Sequence, residues 1–195
     1  MARKYWSKIV KYFSSCEDVF YGLFDYKFNA DIEKQKRVYV TDGHVCLYVE
    51  PAIYERYFVE SDPQRHVFKP LDEKNNGFRC HRSKKEIDIT KDNRNLDAIM
   101  KDICDDCSVW MTTMLFDTKD GNLLRVFRCN KRNELIAVNN YYQELAEDME
   151  FYNNCSLTGS VKYKPIRYEW FGQGMFILPV HFDVQAVCKG IVEMR

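Results

Sequence analysis

Long apolar runs are missing from this chain, and with them the simplest way into a membrane. No stretch approaches the roughly 18 apolar residues that a membrane-crossing helix needs. The opening MARKYWSKIVKYF has neither the apolar stretch nor the small-residue cleavage site of a signal peptide, so a cytoplasmic protein with no membrane partner is expected. Net charge is missing too. The 29 basic side chains offset the 29 acidic ones, so no global field draws the molecule to nucleic acid, and any such binding has to come from a local patch. Neither Gly-x-Gly-x-x-Gly nor a P-loop occurs, which leaves phosphate cradling by a glycine loop without support. No Ser/Gly linker, low-complexity tract or run of like charges marks a boundary, so residues 1–195 read as one domain.

What is present is apolar and aromatic. Hydrophobic residues make up 46% of the chain and aromatics 15%, with 13 Tyr and 13 Phe, a composition that suits a sheet-rich globular fold and argues against disorder. The 195 residues can bury a sizeable core. Eight cysteines are scattered without the context of a short secreted chain, so reduced, mostly buried thiols are expected rather than a disulfide framework.

Trp6, Ile9, Val10 and Phe13 recur at helical spacing, with Arg3, Lys4, Lys8 and Lys11 over much of the remaining surface, which predicts an amphipathic helix with a basic outer side. VFYGLFDYKF and RVYVTDGHVCLYV predict strands, with a tight Asp-Gly turn at residues 41–44. Pro51 is placed to open a short helix in PAIYERYFV. Residues 60–91 hold two Pro, a Gly and many charges and read as an irregular insertion or frayed hairpin. Asp92 then caps a second helix with Leu96, Ile99, Met100 and Ile103 along one face. VWMTTMLFDTKDGNLLRVFRC repeats the design of strand, Asp-Gly turn and strand. NNYYQELAEDMEF supplies another helix, with Tyr142, Leu145, Ala146 and Met149 on one face, and KPIRYEW, FGQG and MFILPVHF form a C-terminal hairpin. This recurrence of helix and strands predicts an α+β fold built from a duplicated helix-plus-antiparallel-sheet unit.

Cys80, His81, Cys104 and Cys107 form the most metal-like set, because thiolate and imidazole suit zinc and Cys104-x-x-Cys107 has the short spacing required. Adjacent Cys80 and His81 point in different directions, however, and Cys104 and Cys107 continue an apolar helical stripe where cysteine acts as a small hydrophobe. Zinc is not assigned. His44 and Cys46 lie two apart on a strand and share a face, but no orienting third group accompanies them, so they read as a turn histidine beside a buried thiol. Two local basic surfaces, Arg3, Lys4, Lys8 and Lys11 on the first helix and Arg79, Arg82, Lys84 and Lys85 in the insertion, are either solvated faces or contacts for a nucleic-acid backbone. Against DNA binding by the whole molecule, Glu144, Glu147, Asp148 and Glu150 line the later helix with no compensating Lys or Arg.

VYVTDGHVCLYV resembles the Thr-Asp-Gly-His strand turn of bacterial DNA sliding clamps of the β-subunit type. PIRYEWFGQGMFILPVHF is similar to the final hairpin of those clamps, which ends in an apolar-Pro-apolar strand, and ELIAVNNYYQELAED resembles the segment in which a strand leads into the helix of a second half-unit. The resemblance implies a sliding-clamp-like fold. Carried over position by position, it nominates Thr41, Gly43 and His44 with Leu178, Pro179 and Val180 for a hydrophobic cleft that captures short peptides of partner proteins. Clamps usually continue the turn with Arg-Leu, where this chain has Val45-Cys46.

The expected function is that of a non-enzymatic, cofactor-free, clamp-like protein that binds a peptide of a partner protein at this cleft, or DNA through its first helix. A ring around DNA would require self-association of identical chains. The alternative is a phage or mobile-element protein that occupies and inhibits a host defence nuclease, and a zinc or thiol hydrolase stands third.

Overall fold

The computed structural model describes residues 2–26, 28, 31, 32, 34–62, 66–92, 107–118, 120–129, 134–149, 156–159 and 165–180. The helix expected from Asp92 to Ile103 falls largely outside them. Among the described residues the chain is α+β. Its helices are α1 (Ala2–Ser15), α2 (Pro51–Tyr54), which runs on into a π-helical turn (Glu55–Val59), and α3 (Asn140–Glu147). The strands are β1 (Asp18–Asp25), β2 (Lys36–Thr41), β3 (Val45–Val49), β4 (Gly77–Arg82), β5 (Ile87–Lys91), β6 (Cys107–Asp117), β7 (Leu123–Cys129), β8 (Leu135–Asn139), β9 (Ser156–Gly159), β10 (Ile166–Trp170) and β11 (Gln173–Ile177). They form one 11-stranded sheet in the order β5-β4-β1-β2-β3-β11-β10-β9-β6-β7-β8, and every pairing is antiparallel. No helix among the described residues is long and apolar enough to cross a membrane.

The chain follows the same route twice. The β1-β2-β3 meander leads through α2 to β4, which returns to pair with β1. The β6-β7-β8 meander leads through α3 to β9, which returns to pair with β6. Pairing of β3 with β11 joins the two sets of strands. Residues 77–91, within the segment read as an irregular insertion or frayed hairpin, form the β4–β5 hairpin, and Val67 and Phe68 ahead of it are buried.

Period-two alternation decides which side chains enter the core. Val19 and Tyr21 on β1, Val38 and Val40 on β2, and Val45, Leu47 and Val49 on β3 all point to one face, joined by Met175 and Ile177 of β11. Trp6, Ile9 and Phe13 on α1 and Leu145, Ala146 and Met149 around α3 close over the same core. Burial of a side chain the size of Phe13 contributes about 2–3 kcal/mol. The opposite face is partly covered as well, by an aromatic layer of Tyr26, Tyr39, Tyr48 and Phe176.

Cysteine usage differs from the expectation of reduced thiols throughout. Cys16, Cys46 and Cys80 are free, but Cys129 at the end of β7 is disulfide-bonded.

Candidate partner-binding edge

The Thr41-to-His44 turn is held by its own side chains. Gly43 adopts φ 92° with open space where a Cβ would lie, so its conformation and not crowding calls for glycine. The N–H groups of His44 and Val45 both donate to Asp42 Oδ1 at 2.9 Å. Thr41 Oγ1 donates to the Val45 carbonyl at 2.7 Å and accepts from the Gly43 N–H at 3.0 Å.

Asp42 also ties the turn to α1. Its Oδ2 accepts from the Tyr12 hydroxyl and from the Cys16 thiol, the latter at 3.8 Å. Burial, reinforced by the Asp42 carboxylate, raises the Tyr12 phenol far above its ordinary range. The same two causes push the Cys16 thiol up to about 11, so at neutral pH Cys16 is a thiol donor and not a thiolate. Burial likewise raises Cys46. The His44 ring stacks on Tyr142 at 6.0 Å and 13°, while the Cys46 thiol lies 3.8 Å from the Leu47 carbonyl. The two side chains imagined as a dyad therefore have separate partners.

The end of β11 runs alongside this turn. The last ladder pair is Ile177 with Val45. Next, the Leu178 N–H donates to the His44 carbonyl at 3.0 Å and the Val180 N–H to the Ala137 carbonyl of β8 at 2.8 Å. Pro179 between them has no N–H, so the segment crosses from the β3 side to β8 without continuing a ladder. Leu178 and Val180 remain 39% and 37% exposed. Tyr141, 47% exposed at the start of α3, extends the apolar surface through ring contacts with Tyr12 and Tyr142. α3 is fixed there by Asn139, whose Oδ1 accepts from the Tyr141 N–H at 2.9 Å.

Of the six residues nominated for a peptide cleft, Leu178 and His44 are joined directly, Thr41 and Gly43 belong to the His44 turn, and Pro179 and Val180 follow Leu178 along the chain. Sequence reasoning missed Tyr12, Tyr141 and Tyr142, which supply most of the aromatic surface beside the turn. Tyr12 sits next to the core position Phe13 on α1, and nothing in the helical period distinguishes a packing tyrosine from one that reaches across to a turn carboxylate.

The basic sets are dispersed. Arg3 and Lys4 lie on α1 with side chains outside the described residues. Lys8 is ion-paired with Asp148, whose hydrogen bond raises the lysine above its ordinary value. This corrects the reading of the acidic helix as uncompensated, because the missing cation comes from α1. Arg79 pairs with Asp18 at 2.7 Å and lies over Phe20, and Arg82 donates to the Ser14 carbonyl. Lys11 on α1 and Lys84 and Lys85 in the β4–β5 turn stay exposed.

Of the metal-like set, Cys80 is buried among core residues while the neighbouring His81 is exposed, with Nδ1 3.2 Å from Asp18 Oδ1. Cys104 and the Cys107 side chain lie outside the described residues. Among the described residues no group of His, Cys, Asp and Glu could hold a metal ion.

A second polar centre is buried on the opposite face. Glu169 accepts from the hydroxyls of Tyr26 and Tyr48 and, at 3.2 Å, from the Gly172 N–H. Burial is the first cause that raises both phenols, with the carboxylate acting in the same direction. The arrangement is closed and holds the aromatic layer to the sheet. Comparison with protein-family models, with characterised proteins and with solved structures finds no match to this chain.

Proposed function

We propose that the chain is a non-enzymatic binding protein, a clamp-like pair of duplicated α+β units, that captures a short peptide of a partner protein between the Thr41-to-His44 turn and the Leu178-to-Val180 segment. The observation that carries this reading is the 3.0 Å hydrogen bond from Leu178 to His44 beside two exposed aliphatic side chains. It makes one continuous edge from segments far apart in sequence. A peptide site needs an apolar trough beside a few hydrogen-bonding groups. Here Leu178, Val180 and Tyr141 provide the first, and the imidazole of His44 and the main chain around Pro179 provide the second.

Duplication is supported by the repeated route of meander, helix and returning strand. DNA binding has less support, because Lys8, Arg79 and Arg82 are engaged within the molecule.

The test is selection of peptides from a random library on the wild-type protein, followed by binding to His44→Ala and to Leu178→Asp/Val180→Asp. Selected peptides should lose about tenfold or more in affinity on the double variant, since burying a carboxylate against an apolar ligand is costly. Equal binding to wild type and both variants, with unchanged circular dichroism, would remove the edge as the site.

A further inference from the structure

A groove of about 510 Å³ runs between α1 and the π-helical turn that follows α2. α1 contributes Trp6, Val10 and Lys11 to it, and the turn contributes Arg56, Tyr57 and Glu60. The contributing positions on each wall are one and four apart, which brings adjacent rows of two helical surfaces face to face. The wider winding of the turn, marked by the Glu60 N–H bonding to the Glu55 carbonyl at 2.9 Å, sets the second row opposite the first.

The interior is apolar and fixed. Trp6 and Tyr57 stack at 5.2 Å and 15°. Trp6 is only 2% exposed, so this stack is anchored in the core. The rim is charged and uncommitted. Lys11 and Arg56 are both exposed, and among the described residues neither forms an ion pair. The Arg56 guanidinium rests 5.3 Å from the centre of the Tyr57 ring, which holds its planar donors at the mouth of the groove. Glu60 adds one exposed carboxylate to the same rim.

We propose that this groove is a second recognition site, separate from the Thr41-to-Val180 edge, and that it takes a short acidic peptide with an apolar anchor. The anchor enters against Val10 and Tyr57, the flanking carboxylates of the peptide meet Lys11 and Arg56, and Glu60 accepts from its main-chain N–H groups. Glu60 decides between ligand chemistries. Its carboxyl oxygens add acceptors that suit the main-chain N–H groups of a peptide and leave a phosphate group, which brings only further acceptor oxygens, without a donor there. Its size falls within the range of pockets that enclose a small ligand or a few side chains.

The test uses end-capped peptides of about eight residues with one leucine flanked by aspartates, the same peptides with lysine in place of aspartate, and inorganic phosphate. The readout is the indole N–H resonances of the 3 tryptophans, with that of Trp6 assigned through Trp6→Phe. The acidic peptide should shift the Trp6 resonance saturably and leave those of Trp110 and Trp170 in place. Lys11→Glu and Arg56→Glu, both at exposed positions, should each weaken binding by about tenfold or more. Glu60→Leu, which removes the acceptor, should weaken peptide binding. The proposal is overturned by the absence of a saturable shift, by equal binding of the lysine peptide, or by phosphate competing for the site and binding tighter to Glu60→Gln. Loss of the shift in Leu178→Asp would also overturn it, because the groove would then not be a separate site.

Discussion

Replacing Asp42 by alanine removes a side chain that both builds the turn and joins it to α1. Its Oδ1 holds two main-chain N–H groups at 2.9 Å each, and Oδ2 receives the Tyr12 hydroxyl. Hydrogen bonds to a charged group contribute about 1.5–3 kcal/mol each, and bonds within one network overlap, so the loss for Asp42→Ala comes to about 3–4 kcal/mol rather than the full sum. Asp42→Asn keeps an oxygen for the two amides but gives up the charge and puts an NH2 donor where Oδ2 accepts from Tyr12. It should cost about 1–2 kcal/mol.

Urea unfolding followed by far-ultraviolet circular dichroism reads the difference. With a slope of about 2 kcal/mol/M, the midpoint falls by about 1.5–2 M for Asp42→Ala and by about 0.5–1 M for Asp42→Asn. Tyr12→Phe supplies the cross-check. Alone it should cost about 1 kcal/mol, and in the Asp42→Ala background close to nothing, because its partner is already gone. Equal midpoints for alanine and asparagine, or strict additivity of Tyr12→Phe with Asp42→Ala, would refute the view that the carboxylate links the turn to the helix.

Gly174→Ala should abolish cooperative unfolding. Its Cβ would sit 1.8 Å from the Tyr168 carbonyl and 2.5 Å from the Tyr48 hydroxyl, and β11 cannot move away because it joins β3 to β10. A cost above about 4 kcal/mol is expected, and a thermal transition like that of wild type would contradict it. Asp18 should shape the acid side of the stability curve. The Arg79 hydrogen bond, with His81 adding to it, holds its pKa below the ordinary 3.8. The stabilisation is therefore fully present above that value and is lost as pH falls through the lower folded value. Asp18→Asn should flatten this acid limb in urea midpoints measured across pH, and parallel curves for the two proteins would rule the pairing out.

How much of this could be read from the sequence depended on whether the cause was local. Val38 and Val40, or Val45, Leu47 and Val49, show their shared face by alternation alone, and Asp42-Gly43 shows its turn because few residues tolerate φ 92°. The burial of Leu145, Ala146 and Met149 follows from helical spacing in the same way. Glu169 could not be found so. It stands at an outward position of β10, where alternation predicts solvent, yet is only partly exposed and receives the hydroxyls of Tyr26 and Tyr48. Lys8 was similarly opaque, since a lysine on the outer side of an amphipathic helix gives no sign that a later helix will bring Asp148 to it. The pairing of Leu178 with His44 has no local signal either. No periodicity encodes which two distant strands will adjoin.

The placement of charge bears most directly on the kind of partner proposed for the molecule. Non-specific affinity for DNA grows with the number of phosphates neutralised by cations on one surface. Here several of the described cations are drawn inward or paired. Arg37 is 2% exposed and donates to the Gly172 carbonyl at 2.6 Å. Lys8 answers Asp148, Arg79 answers Asp18, and Arg82 caps the end of α1 through Ser14. Of the cations nominated for nucleic acid whose side chains are described, Lys11, Lys84 and Lys85 are left, the first on α1 and the other two in the β4–β5 turn. Apolar groups show the opposite pattern. Leu178 and Val180 stay exposed although the chain around them is tightly hydrogen-bonded, and Tyr141 stays exposed although its helix is capped. Residues that remain uncovered on rigid supports are suited to a partner that brings its own apolar surface, and this favours a protein ligand over a polyanion at the Thr41-to-Val180 edge.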